Sequence, residues 1–145
     1  MAVYGAIMNI GRGNKRKTML KLNIFILEDA PERIEYFKKQ FENHNLTIFS
    51  IIDDTVYYNL KDNKYDIFFL DHDLESHLLR TTEKNGYDFA YFLTVNNLQS
   101  HAIIYIHSMN PIGANNMLKL FQKANYEVQW IPYHLLKQCG GLNET

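Results

Sequence analysis

Three short apolar segments constrain what this chain can fold into, because each ends abruptly in acidic, histidine or hydroxyl side chains. The segments and the polar residues after them are 22–27 before Glu28 and Asp29, 65–70 before Asp71, His72 and Asp73, and 102–106 before His107 and Ser108. Short runs that are apolar on both faces are typical of strands in a parallel sheet that helices cover on both sides. The sequence therefore predicts a parallel sheet with polar strand ends.

Helical patterns alternate with these strands. Pro31 stands where the first turn of a helix tolerates proline, and Phe37 and Phe41 follow at helical spacing. The other predicted elements are strands at 47–52 and 127–131 and helices at 31–43, 53–60, 86–96, 111–124 and 133–138. Because the connections are too short for anything but right-handed crossovers, we predict an α/β fold with a doubly wound, five-stranded parallel sheet.

The last predicted helix is only about one turn long, because Gly140 and Gly141 follow it. So short a helix would leave one face of the sheet thinly covered. Cover by the N-terminal segment and cover by a second subunit of a homodimer are two alternative hypotheses.

The charged residues are unevenly distributed along the chain. Residues 12–21 contain five Lys or Arg and no acid, whereas residues 22–145 carry ten basic and 16 acidic side chains, a net charge of -6. Broad nucleic-acid binding depends on Lys and Arg that neutralise phosphates, so we expect no broad nucleic-acid-binding surface. We predict a basic, flexible extension at 1–21, a folded domain at 22–138 and a flexible tail at 139–145.

Other protein classes are disfavoured by what the sequence lacks. No apolar run approaches the roughly 20 residues of a membrane-spanning helix, so no membrane partner is expected. The single cysteine, Cys139, excludes an intramolecular disulfide and disfavours a cysteine-based metal site. Because no secretory signal is recognisable either, we expect a cytoplasmic protein.

The polar strand ends predict a metal site. Carboxyl ends of parallel strands meet at one edge of the sheet, where Asp29 and Asp71 would repel each other unless a cation or proton lay between them. Mg²⁺ and Mn²⁺ prefer carboxylate oxygens, and adding His72 or His107 also admits Mn²⁺, Fe²⁺ or Zn²⁺. The predicted metal ligands are Glu28, Asp29, Asp71 and Asp73.

The histidines are not equivalent candidates. Strand alternation turns His72 away from the side of Asp71 and Asp73, so a structural role is as consistent with the pattern as ligation. His107 follows a fully apolar strand and is the better candidate for proton transfer. The histidines predicted to be solvated are His44, His77, His101 and His134.

Several residues around the predicted site are candidates for binding a phosphate. Ser108 and Asn110 can donate hydrogen bonds to a phosphate oxygen, and the start of the helix that follows favours an anion. An ordinary turn and helix start explains the same residues equally well. Arg80 and Lys84, in the loop after the third strand, are candidate phosphate clamps or simply solvated loop residues.

The arrangement resembles the receiver domain of two-component response regulators: acids after strand one, an aspartate after strand three, a hydroxyl after strand four and a proline after strand five. The resemblance implies that Asp71 is the phosphorylated residue, that Glu28 and Asp29 bind Mg²⁺, and that Ser108 responds to the phosphate. Receivers also have a lysine just before that proline, and residues 130–132 contain none.

The sequence is more similar to a divergent group, the cyclic-phosphate-processing receiver domains, over about residues 22–133. The motifs that carry the likeness are Leu27-Glu28-Asp29, Leu70-Asp71-His72-Asp73-Leu74, Gly86-Tyr87-Asp88-Phe89-Ala90 and His107-Ser108-Met109-Asn110-Pro111. The resemblance implies a receiver topology, which is flavodoxin-like, and hydrolysis of cyclic phosphates in RNA repair.

Two functional hypotheses follow from the residues and the resemblance together. The first is a phosphoesterase that uses Mg, Mn or Zn on a cyclic phosphate, either an RNA 2′,3′-cyclic end or a cyclic nucleotide signal, with His107, Asp71 and His72 as catalytic residues. The second is a non-catalytic module, either a receiver-like switch or a domain that sequesters a nucleotide. Phosphate transfer to Asp71, or tight nucleotide binding without a product, would distinguish the second from the first.

Overall fold

The computed structural model describes residues 20–74 and 84–142. Its strands are β1 (Asn23–Leu27), β2 (Asn45–Phe49), β3 (Ile67–Leu70), β4 (Ile103–Ile106) and β5 (Glu127–Trp130). Its helices are α1 (Pro31–Gln40), α2 (Asp54–Asp62), α3 (Gly86–Val95), α4 (Pro111–Lys123) and α5 (Tyr133–Leu142). All strand pairs are parallel and the strand order is β2-β1-β3-β4-β5. This order is that of flavodoxin-like proteins and confirms the predicted fold.

The two faces of the sheet are buried under different helices, which explains why the strands are apolar on both sides. Phe25 and Phe68 belong to a core that includes residues of α2, α3 and α4. Ile26 and Phe69, their neighbours in sequence, belong to a second core with α1 and α5. Alternation along each strand therefore supplies both cores.

The helices that follow strands β1 to β4 begin at residues suited to helix starts. Pro31 occupies the first turn of α1, and Asp53 caps α2 by accepting hydrogen bonds from backbone N–H groups. Asn85 and Asp88 form a reciprocal capping box on α3, and Asn110 caps α4. These caps fix where each strand-to-helix connection turns, and with it the wall of the site.

Most predicted bounds differ from the structure by one to three residues, and two of the differences matter for the fold. The second strand lies at Asn45–Phe49 instead of 47–52, because Asn45 pairs in register with Asn23 at the start of β1. Helix α5 has ten residues instead of about one turn. Glycine lowers helix propensity by about 1 kcal/mol without blocking the helical conformation, so the two glycines near its end do not terminate it. Leu136 in this helix is fully buried, and α5 thus covers the face that was predicted to be thin.

One histidine prediction was wrong. His44 is 7% exposed instead of solvated, and its Nδ1 accepts a hydrogen bond from the backbone N–H of Leu22 at 3.0 Å. Separately, no helix in the described part of the chain has the length and apolar character needed to cross a bilayer.

Candidate active site

A cleft of about 320 Å³ opens at the carboxyl edge of the sheet, and we call it the acid cleft. Its walls come from the ends of β1, β3 and β4 and from the first turn of α1. The residues that line it are Glu28, Asp29, Ala30, Arg33, Asp71, Asp73, Met109 and Asn110. Because β1 and β3 are neighbours in the sheet, four carboxylates from two distant parts of the sequence share this cleft.

Glu28 and His107 form a buried pair at the base of this site. His107 Nε2 lies 2.7 Å from Glu28 Oε1, and neither residue has any exposed surface. The other carboxylate oxygen accepts hydrogen bonds from the N–H groups of Asp29 and Ala30. Burial raises the pKa of Glu28, but His107, the Ala30 N–H and Arg33 outweigh it, so the pKa lies below its ordinary value. Glu28 is therefore ionised and His107 Nε2 donates to it.

Asp71 is a nearly buried carboxyl group in the wall of the acid cleft. It is 5% exposed, and its Oδ1 accepts a hydrogen bond from the N–H of His72 at 2.8 Å. Burial, together with the charge of Glu28, raises the pKa of Asp71 to about 6, against the opposing influence of His107 and Arg33. A carboxyl that titrates near neutrality in a cleft is a candidate functional group.

The buried polar groups fit a divalent cation. One ligand atom each from Glu28, Asp71 and His107 lies within 4.8 Å of the others. Two carboxylates with an imidazole suit Mn²⁺ or Zn²⁺, while the carboxylates of the cleft by themselves suit Mg²⁺. His107 could ligate through Nε2 only after giving up the proton that it donates to Glu28, since a metal ligand must be deprotonated.

Arg33 is the functional candidate that sequence reasoning missed. Its Nη1 lies 3.8 Å from Glu28 Oε1 and 3.9 Å from Asp71 Oδ2, and its guanidinium carbon lies 4.7 Å from the centre of the Tyr133 ring. It places a positive charge among the carboxylates of a chain that lacks the receiver lysine. The available signal was its position in the first turn of a helix that begins directly after the acidic pair.

His107 lies behind Glu28 and does not line the acid cleft. Its ring packs edge-on against Phe37 and lies near Tyr133, and its Nδ1 has no hydrogen-bond partner within the described residues. In this arrangement a proton would pass between His107 and the cleft through Glu28. Direct proton transfer from His107 to a substrate, the role predicted from sequence, would require the ring to move.

Ser108 and Asn110 shape the wall after β4. Ser108 is fully buried; its Oγ accepts a hydrogen bond from the Asn110 N–H and its carbonyl accepts one from Trp130 Nε1. Asn110 caps α4 through Gly113 and donates from Nδ2 to the carboxylate of Asp73 at 3.3 and 3.4 Å. Of these two predicted phosphate contacts, Asn110 borders the cleft and Ser108 lies beneath it.

Residues 71–73 form a partition between two clefts. Asp71 and Asp73 line the acid cleft, whereas His72 lines a second cleft of about 630 Å³ between α3 and α4, which we call the α3–α4 cleft. His72 Nδ1 lies 2.7 Å from Asp73 Oδ1. A Cβ atom on Gly113 would lie only 2.5 Å from the His72 ring, so the absence of a side chain there makes room for this histidine.

The two predicted loop cations contribute differently to the described structure. Lys84 lies against Tyr57, with its Nζ 3.4 Å from the tyrosine hydroxyl oxygen and 5.0 Å from the ring centre, and it lines neither cleft. Arg80 falls outside the described residues.

Comparison with known families shows where this chain belongs. The family model for the cyclic-phosphate processing receiver domain matches residues 24–123. The chain is a member of that family. Membership associates this receiver-like domain with cyclic-phosphate processing, as the resemblance implied. No curated protein matches the chain.

Solved structures show the same fold at low sequence identity. The chain is similar to a CheY-like response regulator receiver domain from Methylobacillus flagellatus, with a TM-score of 0.55, 14% identity, and coverage of 86% of this chain and 100% of that one. It is also similar to the receiver domain of the Francisella response regulator 1452, with a TM-score of 0.54, 13% identity, and coverage of 86% and 100%. Identities this low establish the receiver fold and no more.

Proposed function

We propose that this receiver-like domain is a metal-dependent phosphoesterase that hydrolyses a cyclic phosphate. The observation that carries the proposal is the acid cleft, in which one arginine lies among four carboxylates beside the buried Glu28–His107 pair. An anionic phosphate would be repelled by such a cleft unless a cation accompanied it. Membership of the cyclic-phosphate processing family supplies the class of anion.

The charged and polar side chains of the acid cleft each have a chemical use in this reaction. A divalent cation, when bound, polarises a phosphoryl oxygen and supplies hydroxide near neutral pH. The residues that would hold it are Glu28, Asp29, Asp71 and Asp73. Arg33 can form charge-assisted hydrogen bonds to a phosphate oxygen, and Asn110 Nδ2 can donate to another.

Ring opening needs one water and one proton transfer. The water oxygen forms a bond to phosphorus as the water gives up one proton, one of the two ring P–O bonds breaks, and the departing alkoxide oxygen takes up one proton, which gives a phosphomonoester and a free hydroxyl. Glu28, hydrogen-bonded to His107, is the group placed to pass a proton between the cleft and the imidazole. His107 thus acts on the substrate only through Glu28, either by orienting its carboxylate or by exchanging a proton with it.

The test is a hydrolysis screen on purified protein. Substrates are 2′,3′-cyclic phosphate-ended RNA, 2′,3′-cyclic mononucleotides and 3′,5′-cyclic nucleotides, each with Mg²⁺, Mn²⁺ or Zn²⁺ and with chelator. We expect a phosphomonoester product that requires the cation and disappears in Asp71→Asn. Asp62→Asn, an exposed aspartate at the end of α2, is the matched control and should keep full activity. Absence of product across the whole panel would remove the proposal.

A receiver-like switch is the second candidate, and one observation favours it. Asp71 corresponds to the receiver phosphoacceptor, and Arg33 Nη1 lies 3.9 Å from its Oδ2. This arginine supplies a positive charge beside Asp71 in a chain that lacks the usual receiver lysine after β5. Incubation with acetyl phosphate and Mg²⁺, followed by mass spectrometry of the intact protein, tests this. A lasting phosphoryl group that is lost in Asp71→Asn would favour the switch, whereas an unmodified protein that turns over cyclic phosphate favours hydrolysis.

A further inference from the structure

The α3–α4 cleft lies directly beside the acid cleft and is not used by the chemistry above. It is lined by His72, Asn85, Tyr87, Asp88, Asn116, Lys119, Leu120 and Lys123. Its volume of about 630 Å³ is roughly twice that of the acid cleft. The two clefts lie on either side of residues 71–73, with His72 lining one and Asp71 and Asp73 lining the other.

Positive charge lines the α4 side of this cleft. Lys119 and Lys123 are four residues apart on one face of α4, a helix without any acidic residue. Neither lysine forms an ion pair within 4.0 Å among the residues of 20–74 and 84–142. The acid in the lining, Asp88, accepts a hydrogen bond from the Asn85 N–H at 2.8 Å in the capping box. The cleft therefore offers cations to an anionic ligand, unlike its acidic neighbour.

One exposed aromatic ring lines the α3 side of the cleft, and a second exposed ring follows it on the helix. Tyr87 is 37% exposed and borders the cleft, and Tyr91, one turn further along α3, is 54% exposed. Residues four apart on a helix lie on the same face, so the two rings form a row along α3. Rows of exposed aromatic rings beside basic side chains are how single-stranded nucleic acids are bound, by base stacking and phosphate contact.

We propose that the α3–α4 cleft binds single-stranded RNA, and that the substrate of the acid cleft is a cyclic phosphate at the end of an RNA chain. The proposal rests on the proposed function and narrows its substrate class from any cyclic phosphate to a polynucleotide end. The bases stack on Tyr87 and Tyr91, the backbone phosphates contact Lys119 and Lys123, and the terminal phosphate passes the partition into the acid cleft. This RNA-binding track, formed by two lysines and two tyrosines, needs far fewer basic residues than a broad nucleic-acid-binding surface.

The experiment measures kcat/KM and equilibrium binding for a ladder of 2′,3′-cyclic phosphate-ended RNAs from one nucleotide to about sixteen, because single-strand grooves cover roughly 4–16 nucleotides. We expect kcat/KM to rise with length and then level off. Lys119→Ala/Lys123→Ala and Tyr87→Ala/Tyr91→Ala should each lower it about tenfold or more for the longer RNAs and should lower it less for the mononucleotide, which makes fewer of these contacts. Removing the two lysines should also reduce the salt slope of log K by about 1.4, at roughly 0.7 per phosphate contact on a single strand.

The matched control is Lys61→Ala/Lys64→Ala, which removes the same charge from exposed positions in the last turn of α2 and just after it and should leave the length dependence intact. Equal kcat/KM for mononucleotide and long RNA in the wild type overturns this inference but leaves the phosphoesterase standing. Length-dependent, lysine-dependent binding without any cleavage supports the RNA track and overturns the phosphoesterase. Loss of binding in the control pair as well as in the cleft pair overturns the assignment of the track to α3 and α4.

Discussion

At the scale of single residues, the buried Glu28–His107 pair is the most demanding feature of the site. Its two partners lie 79 positions apart in sequence, yet their ring nitrogen and carboxylate oxygen are 2.7 Å apart with no contact to solvent. A buried charge without its partner carries a large desolvation cost, so each residue depends on the other. The pair therefore links the end of β1 to the end of β4.

Substitution of His107 separates its positioning role from a merely structural one. His107→Ala should lower the free energy of unfolding by about 3–5 kcal/mol, because Glu28 is left buried without its main partner. His107→Gln places an amide N–H near the position of Nε2 and should recover most of that stability. Urea denaturation of both variants checks this.

Activity then distinguishes the roles of the histidine. If His107 only orients Glu28, His107→Gln should keep measurable hydrolysis with a changed pH profile. If the imidazole itself must take up the proton, His107→Gln should be as inactive as His107→Ala although it is stably folded. The pH dependence of kcat/KM for the Gln variant decides between these outcomes.

The raised pKa of Asp71 predicts how the stability of the metal-free protein depends on pH. This pKa in the folded state, about 6, lies above the ordinary value of 3.8 for an aspartate, so the folded state favours the protonated form. The stability that this provides is complete below about pH 4 and is lost as pH rises through 6, a change of roughly 3 kcal/mol. The pKa of Glu28 is lowered in the folded state, so its contribution to stability is present above the ordinary glutamate pKa and is lost only as pH falls below it.

Urea denaturation in chelator between pH 4 and 7 measures this loss. Asp71→Asn should remove this loss of stability with rising pH, whereas Asp62→Asn should preserve it. A divalent cation should reverse the trend, because the cation competes with the proton and binds more tightly as pH rises. A wild-type curve that stays flat from pH 4 to 7 in chelator would contradict the raised pKa.

At the scale of elements, two glycines determine how closely α3 and α4 approach the end of β3. A Cβ atom on Gly86 would lie 2.1 Å from the backbone oxygen of Asp71, and one on Gly113 would meet the ring of His72. The Asp71 oxygen belongs to the backbone and cannot move without shifting the chain, whereas the His72 ring can change its rotamer. This steric clash explains why the Gly86-Tyr87-Asp88 motif begins with glycine.

Gly86→Ala should accordingly damage the site more than Gly113→Ala. We expect Gly86→Ala to lower the free energy of unfolding by about 2 kcal/mol or more and to weaken metal binding, since the Asp71–His72 backbone must shift. Gly113→Ala should be milder and should act through His72. Asn115→Ala, an exposed position in α4, is the control and should be neutral or slightly stabilising. Thermal and urea denaturation with metal titration measure all three, and equal effects of the two glycine variants would contradict the steric argument.

At the scale of the whole molecule, the two cores account for cover on both sheet faces without a further segment. The buried apolar residues of the described chain run from Ile24 to Leu136. We therefore predict that a variant lacking residues 1–19 keeps the same urea midpoint and the same rate of cyclic phosphate hydrolysis. Denaturation and light scattering of both forms check this. A lower midpoint or a changed oligomeric state would show that the N-terminal segment or a second subunit covers part of the sheet.

Much of the fold and the general place of the site could be predicted from the sequence. Runs apolar on both faces, such as those ending at Leu27 and Leu70, specify buried parallel strands, and helix starts such as Pro31 are readable because capping chemistry is local. Because parallel strands present their carboxyl ends at one edge, the meeting of Asp29 and Asp71 also follows from the pattern.

Only the tertiary structure decided which polar groups face one another. The burial of His107 against Glu28, the arrival of Arg33 from α1, the burial of Ser108 and the separate cleft beside His72 all depend on strand order and helix packing between distant residues. Local sequence patterns determine on which face of an element a side chain lies, but not which partner fills the space opposite it. The physical reason is that distances between side chains are set by the packing of whole elements, to which every residue of both cores contributes.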